Sequence, residues 1–194
     1  MNNVTLKTWL KRETREHHHR VDQHPVLKPL LAPTLTTGEY ARALSALYAP
    51  IAGLEQVLST GLNAHHIEYA FTKRAGVLAA DIQQLGRQEA SPYVADAPAN
   101  VASTIGMLYV LEGSRLGGVM IARHVTAVLG NQVPLRFLTA QPLHDEQWAA
   151  FWHLAEHYCE ASAWPAVREG AQQAFGYFTQ ALAAFDRLGP APKV

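Results

Sequence analysis

The sequence predicts an all-α chain, and three observations carry that expectation. Apolar residues recur at steps of three and four over most of its length, no strictly alternating apolar run appears, and glycine and proline mark where the periodic segments stop. About seven helices follow, packed as a single-domain multi-helix bundle over residues 1–194, a length that buries one sizeable core.

Each element has its own signal. The first helix, over residues 4–22, buries Leu6, Leu10 and Val21. The second carries Tyr40, Leu44, Leu47, Ile51, Leu54 and Leu58 on one face. It starts at the capping-box pattern Thr36-Thr-Gly-Glu39, and Pro50 should kink it. A third stripe runs Ile67, Phe71, Ala75, Leu78, Ile82, Leu85 and closes at Gly86. Further helices are expected over 98–113, 117–129 and 144–160. The last runs from Val167 to Phe185 and ends at Gly189-Pro190. Segments 92–98 and 132–142 read as loops.

Composition excludes several functions. Lys+Arg and Asp+Glu are 16 each, so the formal charge is zero, which argues against a nucleic-acid partner. A single cysteine, Cys159, excludes an internal disulfide and a cysteine-rich metal site, and fits a reducing compartment. The opening residues lack a signal-peptide core, and no apolar run approaches the ~18 residues of a membrane span. The expectation is a cytoplasmic protein without a membrane partner.

The stretch Tyr109-Val-Leu-Glu-Gly-Ser-Arg-Leu-Gly-Gly118 stands out. Gly113, Gly117 and Gly118 fall between two helical segments, and each helical glycine costs roughly 1 kcal/mol relative to alanine. Something must approach this backbone closely, either another helix or a flat ligand. The stretch lacks the Gly-Lys-Ser/Thr of a phosphate loop and follows no strand.

Other motifs give weaker signals. His17, His18 and His19 point about 100° apart on a helix. His17 lies nearest the centre of the buried stripe, His18 at its edge beside Thr14, and His19 opposite. All three read as boundary or surface histidines, or one as an iron ligand. His153-Leu-Ala-Glu156-His157 has the H-x-x-E-H zinc spacing, but its face lies opposite Trp148, Phe151, Ala155 and Tyr158 and reads as solvated. Glu16-His-His-His19 is one Glu-x-x-His without the second copy that a di-iron bundle needs. Tyr158, Phe175, Tyr177 and Phe178 read as core before cofactor wall. No Ser-His-Asp or Cys-His arrangement is legible.

Two blocks together resemble the heme oxygenase family, its small bacterial, biliverdin-producing branch in particular. The first is Leu10-Lys-Arg-Glu-Thr14-Arg-Glu-His-His18-His-Arg-Val-Asp22. It is similar to a first-helix pattern in which Thr precedes the proximal heme ligand by four residues and an acidic residue follows it by four. The second is Gly106-Met-Leu-Tyr109-Val-Leu-Glu-Gly113-Ser-Arg-Leu-Gly117-Gly118, similar to the distal pattern Leu-Tyr-x-x-Glu-Gly-Ser-x-Leu-Gly. Helix order, with Trp148, Phe151 and Ala174-Phe175, extends the resemblance over most of the chain.

The resemblance implies heme cleavage to biliverdin, CO and Fe(II), dependent on O2 and reductant. Heme b is then both substrate and cofactor. His18 carries over as the proximal iron ligand, in preference to the more central His17, with Thr14 and Asp22 in register around it. Lys11 matches a propionate partner and Tyr109 a propionate or heme-edge contact. Gly113, Ser114 and Gly117 match the catalytic distal wall, and Phe175 joins the cofactor-binding set. Mammalian members carry an aspartate where Ser114 falls here; the bacterial pattern lacks it too, which leaves the proton path to ordered water with backbone carbonyls near Gly113 and with Ser114. No flavin or nicotinamide motif is present, which implies a ferredoxin or flavoprotein reductase as electron donor. Biliverdin would serve a bacteriophytochrome, or the reaction would serve iron release. A non-catalytic heme carrier of the same fold is the alternative, and a thiaminase-like enzyme acting on another small aromatic molecule is a third reading.

Overall fold

The computed structural model describes residues 4–189. Among them every regular element is helical: nine α-helices and three short 3-10 turns. The helices are α1 (Leu6–Glu13), α2 (Arg15–Asp22), α3 (Thr37–Ala64), α4 (Ala75–Gln84), α5 (Val101–Gly113), α6 (Gly118–Leu129), α7 (Arg136–Thr139), α8 (Asp145–Tyr158) and α9 (Trp164–Arg187).

The excess over seven has physical causes. The predicted first helix divides at Thr14, a turn residue whose φ and ψ of −102° and −1° lie well off ideal helix values. Its hydroxyl donates to the Leu10 carbonyl at 2.8 Å, a back-bond that bends helices. The 4-residue α7 lies in a segment expected to be loop; Asp81 caps it by accepting from the Phe137 amide at 2.8 Å. That long-range cap is invisible in the local pattern.

The Ile67–Leu85 stripe is helical only from Ala75. Residues 67–74 run irregularly, and a buried carboxylate explains the late start. Glu55 on α3 accepts from the amides of Arg74 at 2.6 Å and Ala75 at 3.1 Å, so it caps α4 from another helix. At the far end Gly86 is left-handed at φ +70°, and the Arg87 amide donates back to the Ile82 carbonyl, as the closing glycine predicts. The capping box at Thr36 forms as expected, with both of its bonds in place. Pro50 lies inside α3. Gly189, left-handed at φ +72°, follows the last helix; Pro190 lies outside the described residues.

The core runs between α3, α5 and α9, with Leu44, Leu54, Ile105, Met107, Phe151, Val167 and Leu182 almost fully excluded from solvent. The most extensive pair is α5 with α9. Gly106 and Gly170 make that approach possible. A Cβ on Gly106 would overlap the Val167 carbonyl and stand 2.7 Å from the Ala171 nitrogen, and one on Gly170 would stand 2.6 Å from Ser103 Cα. The segment Val101–Gln132 is apolar and long enough to cross a membrane by length and composition, contrary to the expectation of no such run. It is α5 and α6 with a break at 114–117, and just over half of its most apolar window is buried.

Candidate functional site

The site residues come from three places: the α1–α2 joint, the α5–α6 joint, and one turn of α9. Thr14 is buried at the first joint. Its hydroxyl stands 3.5 Å from the Tyr109 hydroxyl on α5, a long contact that ties the two joints together. His18 lies one turn beyond Thr14, and Gly113 one turn beyond Tyr109.

His18 is 62% exposed, more open than a position in a closed helix seam. Its Nδ1 donates to Asp22 Oδ2 at 2.8 Å, and its ring meets Phe175 edge-on with centroids 5.9 Å apart. The Asp22 hydrogen bond raises the pKa of His18 above its ordinary value, against burial and the nearby Lys11 charge, both of which lower it. A ring held through Nδ1 keeps Nε2 for another partner, the arrangement of a metal-ligating histidine with a carboxylate behind it. His17 is the more buried of the pair, as its place on the wheel predicts. Its Nδ1 is buried without a partner, and its ring is 6.4 Å from Phe175. His19 and Lys11 are exposed.

The three glycines of the 113–118 stretch differ. A Cβ on Gly118 would stand 2.7 Å from the Leu138 carbonyl oxygen, so that glycine serves packing against α7. A Cβ on Gly113 would meet nothing nearer than Trp148 Cη2 at 3.9 Å, and one on Gly117 nothing nearer than Ile121 Cδ1 at 3.9 Å. Both have negative φ, so neither backbone conformation demands glycine. Internal packing therefore explains Gly118 and leaves Gly113 and Gly117 unexplained.

Ser114 is exposed, but its hydroxyl is engaged: it donates to the Leu111 carbonyl at 2.6 Å and accepts from Arg74 Nη2 at 2.5 Å. Beneath it Glu112 and Arg115 form a buried ion pair. Arg115 also donates to the carbonyls of Gln141 at 3.1 Å and Pro142 at 3.3 Å, which fastens the loop before α8 to this joint. Burial, then the neighbouring Arg115, lowers the Arg74 guanidinium to about 10, still a cation at neutral pH.

Tyr109 packs against Trp148 and Trp152 of α8, with centroids 6.0 and 5.5 Å away. Burial pushes its hydroxyl pKa up. Phe175, Tyr177 and Phe178 are core residues, as expected of an aromatic stripe, and Phe175 alone of them also reaches the histidines. His153, Glu156 and His157 are exposed on α8, the solvated face that their spacing predicts.

Glu55, Arg74 and the indole of Trp152 are absent from the sequence-based site. Glu55 had a visible signal: a carboxylate one turn after Ile51 within an apolar stripe. Arg74 had none, because its partners are 19 and 40 residues away.

A family model described as Heme oxygenase matches residues 4–184. The chain belongs to the heme oxygenase family. It is 33% identical over 152 residues to the heme oxygenase of Xanthomonas campestris pv. campestris, covering 75% of this chain and 89% of that one. Its fold is similar to the NO- and CO-bound heme oxygenase of Neisseria meningitidis, at TM-score 0.70 and 24% identity, covering 99% of this chain and 96% of the other. The Leptospira interrogans heme oxygenase superposes at TM-score 0.68 with 18% identity, over 93% of this chain and 100% of that one. The Synechocystis heme oxygenase-1, solved in complex with heme, gives 0.66 with 18% identity, over 96% and 93%. The all-helical class is shared throughout, and this heme oxygenase is a heme-degrading oxidoreductase by family.

Proposed function

We propose that residues 1–194 form one heme-oxygenase-like domain in which His18 and the 113–118 stretch hold heme between them. The observation that carries this reading is the division among the glycines. Gly118 is needed for packing, whereas Gly113 and Gly117 keep a bare backbone that internal packing does not use. The donor chemistry fits the group: His18 has Nδ1 engaged by Asp22, which leaves Nε2 for a ligand, and the Phe175 ring beside it supplies an apolar contact. Heme, when bound, supplies the iron that activates O2 and the meso carbon that is opened to give biliverdin and CO.

The chain's own residues do the rest. Asp22 fixes the tautomer and direction of the His18 ring and adds to its basicity. Lys11 would offer a propionate its charge, and Tyr109, whose hydroxyl stands 3.5 Å from that of Thr14, would contact a propionate or the macrocycle edge. Gly113 and Gly117 would let main chain approach the bound heme closely, and the shape of that main chain would steer which meso carbon is exposed to attack. Ser114 supplies no proton of its own, since its only hydroxyl proton goes to Leu111. Protons therefore arrive through solvent, aligned by backbone carbonyls and the oxygen of Ser114. Electrons come from a ferredoxin or flavoprotein reductase in the cytoplasm, and biliverdin passes to a bacteriophytochrome or iron is the useful product.

The test is to add heme to the purified protein, supply ascorbate or reduced ferredoxin under air, follow loss of the Soret band and identify the bilin. Biliverdin formation is expected. A stable Soret band with no bilin would mark a carrier and sink the reading.

Two variants refine it. Gly113→Ala and Gly117→Ala should leave the melting temperature of the heme-free protein unchanged or slightly raised, since alanine favours helix and its Cβ meets only an ordinary van der Waals contact at 3.9 Å in each case. Turnover should fall on the order of 10- to 100-fold, or the bilin isomer should change, because a displaced reacting group is costly. Loss of stability with normal turnover would return both glycines to packing. Asp22→Ala should weaken heme affinity on the order of 10- to 100-fold, the usual cost of removing a carboxylate behind a ligating histidine, read by heme titration. An unchanged titration would remove Asp22 from the site.

A further inference from the structure

The joint between α5 and α6 rests on a charged residue that belongs to neither helix. Arg74 ends the irregular 67–74 segment at the start of α4, and only 5% of it is exposed. Its backbone is fixed by the Glu55 carboxylate on α3. Its guanidinium lies over the Phe137 ring of α7, 5.1 Å from the centroid. Nη2 reaches Ser114 Oγ at 2.5 Å and the Leu111 carbonyl at 3.3 Å. The charges around it are Glu55, Glu112 and Arg115.

These bonds settle what Ser114 can offer. A serine hydroxyl has one proton and two lone pairs. Here the hydroxyl donates to the Leu111 carbonyl, and one lone pair accepts a hydrogen bond from Arg74 Nη2. What remains toward the exposed side is a single lone pair. The chain Arg74 N–H to Ser114 O–H to Leu111 C=O runs in one direction, and each link polarises the next.

We propose that Arg74 is a positioning residue for the distal stretch: it holds Ser114 as an acceptor, never a donor, toward the 113–118 turn. This rests on the reading of that turn as the distal wall. A water bound there must then point one hydrogen at Ser114 and keep its other hydrogen for the ligand side. Glu55, Arg74 and Ser114 thus link α3 and α4 to the polarity of the site, although neither helix carries a predicted site residue.

The test uses carbon monoxide on the reduced heme complex as the probe, read by its C–O stretching frequency, which follows the local field. Arg74→Lys keeps the positive charge beside Glu55 and Glu112 but cannot reproduce the guanidinium fork. It should shift the stretch. The shift should disappear in an Ser114→Ala background, because the effect passes through that hydroxyl. Ser114→Ala alone, at an exposed position, should keep the fold and also move the stretch. An unmoved stretch in either single variant, or an equal Arg74→Lys shift with and without Ser114, would overturn the proposal.

A second arm needs no heme. In the heme-free protein, Arg74→Lys should speed amide exchange over residues 111–118 by about tenfold, the scale of one lost charged hydrogen bond. Unchanged exchange there also overturns the proposal. A wild-type protein that gives no heme complex fails the heme reading instead, and the exchange arm still tests the hold of Arg74 on the turn.

Discussion

His18→Ala should fold normally and fail to ligate heme. The side chain is 62% exposed and its pairing with Asp22 is solvent-accessible, so removing it costs the fold at most about 1 kcal/mol. The Soret band of the heme complex should weaken or shift, and affinity should drop on the order of 100-fold, the upper end of the range expected for loss of the supporting carboxylate. Added imidazole should restore the spectrum by occupying the same coordination position. His17→Ala is the control that gives this result its meaning. His17 is more buried and meets the same Phe175 ring, and its Nδ1 has no partner. It should lose some stability and keep the wild-type spectrum. If the two outcomes are exchanged, the ligand is His17, and the Thr14–His18–Asp22 register is wrong.

Gly106→Ala should be strongly destabilising, although it adds only one methyl group and Gly106 is not among the candidate site residues. Its Cβ would overlap the Val167 carbonyl oxygen and stand 2.7 Å from the Ala171 nitrogen. Both are backbone atoms of α9, so no rotamer change relieves the contact; the helices must part. Overpacking costs typically 1–3 kcal/mol where side chains can adjust. A cost of about 3 kcal/mol or more is expected here, a fall in melting temperature of roughly 6–12 °C for a domain of this size. Gly170→Ala should behave alike, since its Cβ would fall 2.6 Å from Ser103 Cα on the same crossing. A thermal melt of either variant within a degree or two of wild type would mean that α5 and α9 can separate at little cost. Set beside Gly113→Ala and Gly117→Ala, the pair separates glycines that serve the fold from glycines that serve a ligand.

Much of this was legible in the chain because it is local. The stripe of α3, its capping box at Thr36, the closing Gly86 and the apolar spacing of α9 are short-range patterns, and each forms where the pattern puts it. The solvated face with His153 and His157 was likewise readable from its position opposite Trp148 and Phe151. What failed was also systematic. Residues 67–74 carry helical spacing yet stay irregular, because Glu55 caps α4 only at Arg74 and Ala75. The helix α7 exists because Asp81 meets the Phe137 amide across 56 residues. In both cases a buried carboxylate from another helix decides a boundary, and no window of neighbouring residues contains it.

The same division applies to the site. The sequence alone determined the helical class from spacing along single helices, singled out Gly113 and Gly117 by their cost in a helix, and supplied His18, Asp22 and Tyr109 only through the family resemblance, since the wheel by itself puts His17 nearer the buried stripe. Only the tertiary structure decided which glycines are spare, because glycine's value depends on what another helix places against it. The turned-in proton of Ser114 and the cation that fixes it were likewise hidden, since Arg74 lies 40 residues from that hydroxyl and meets it only once α4 and α5 have packed.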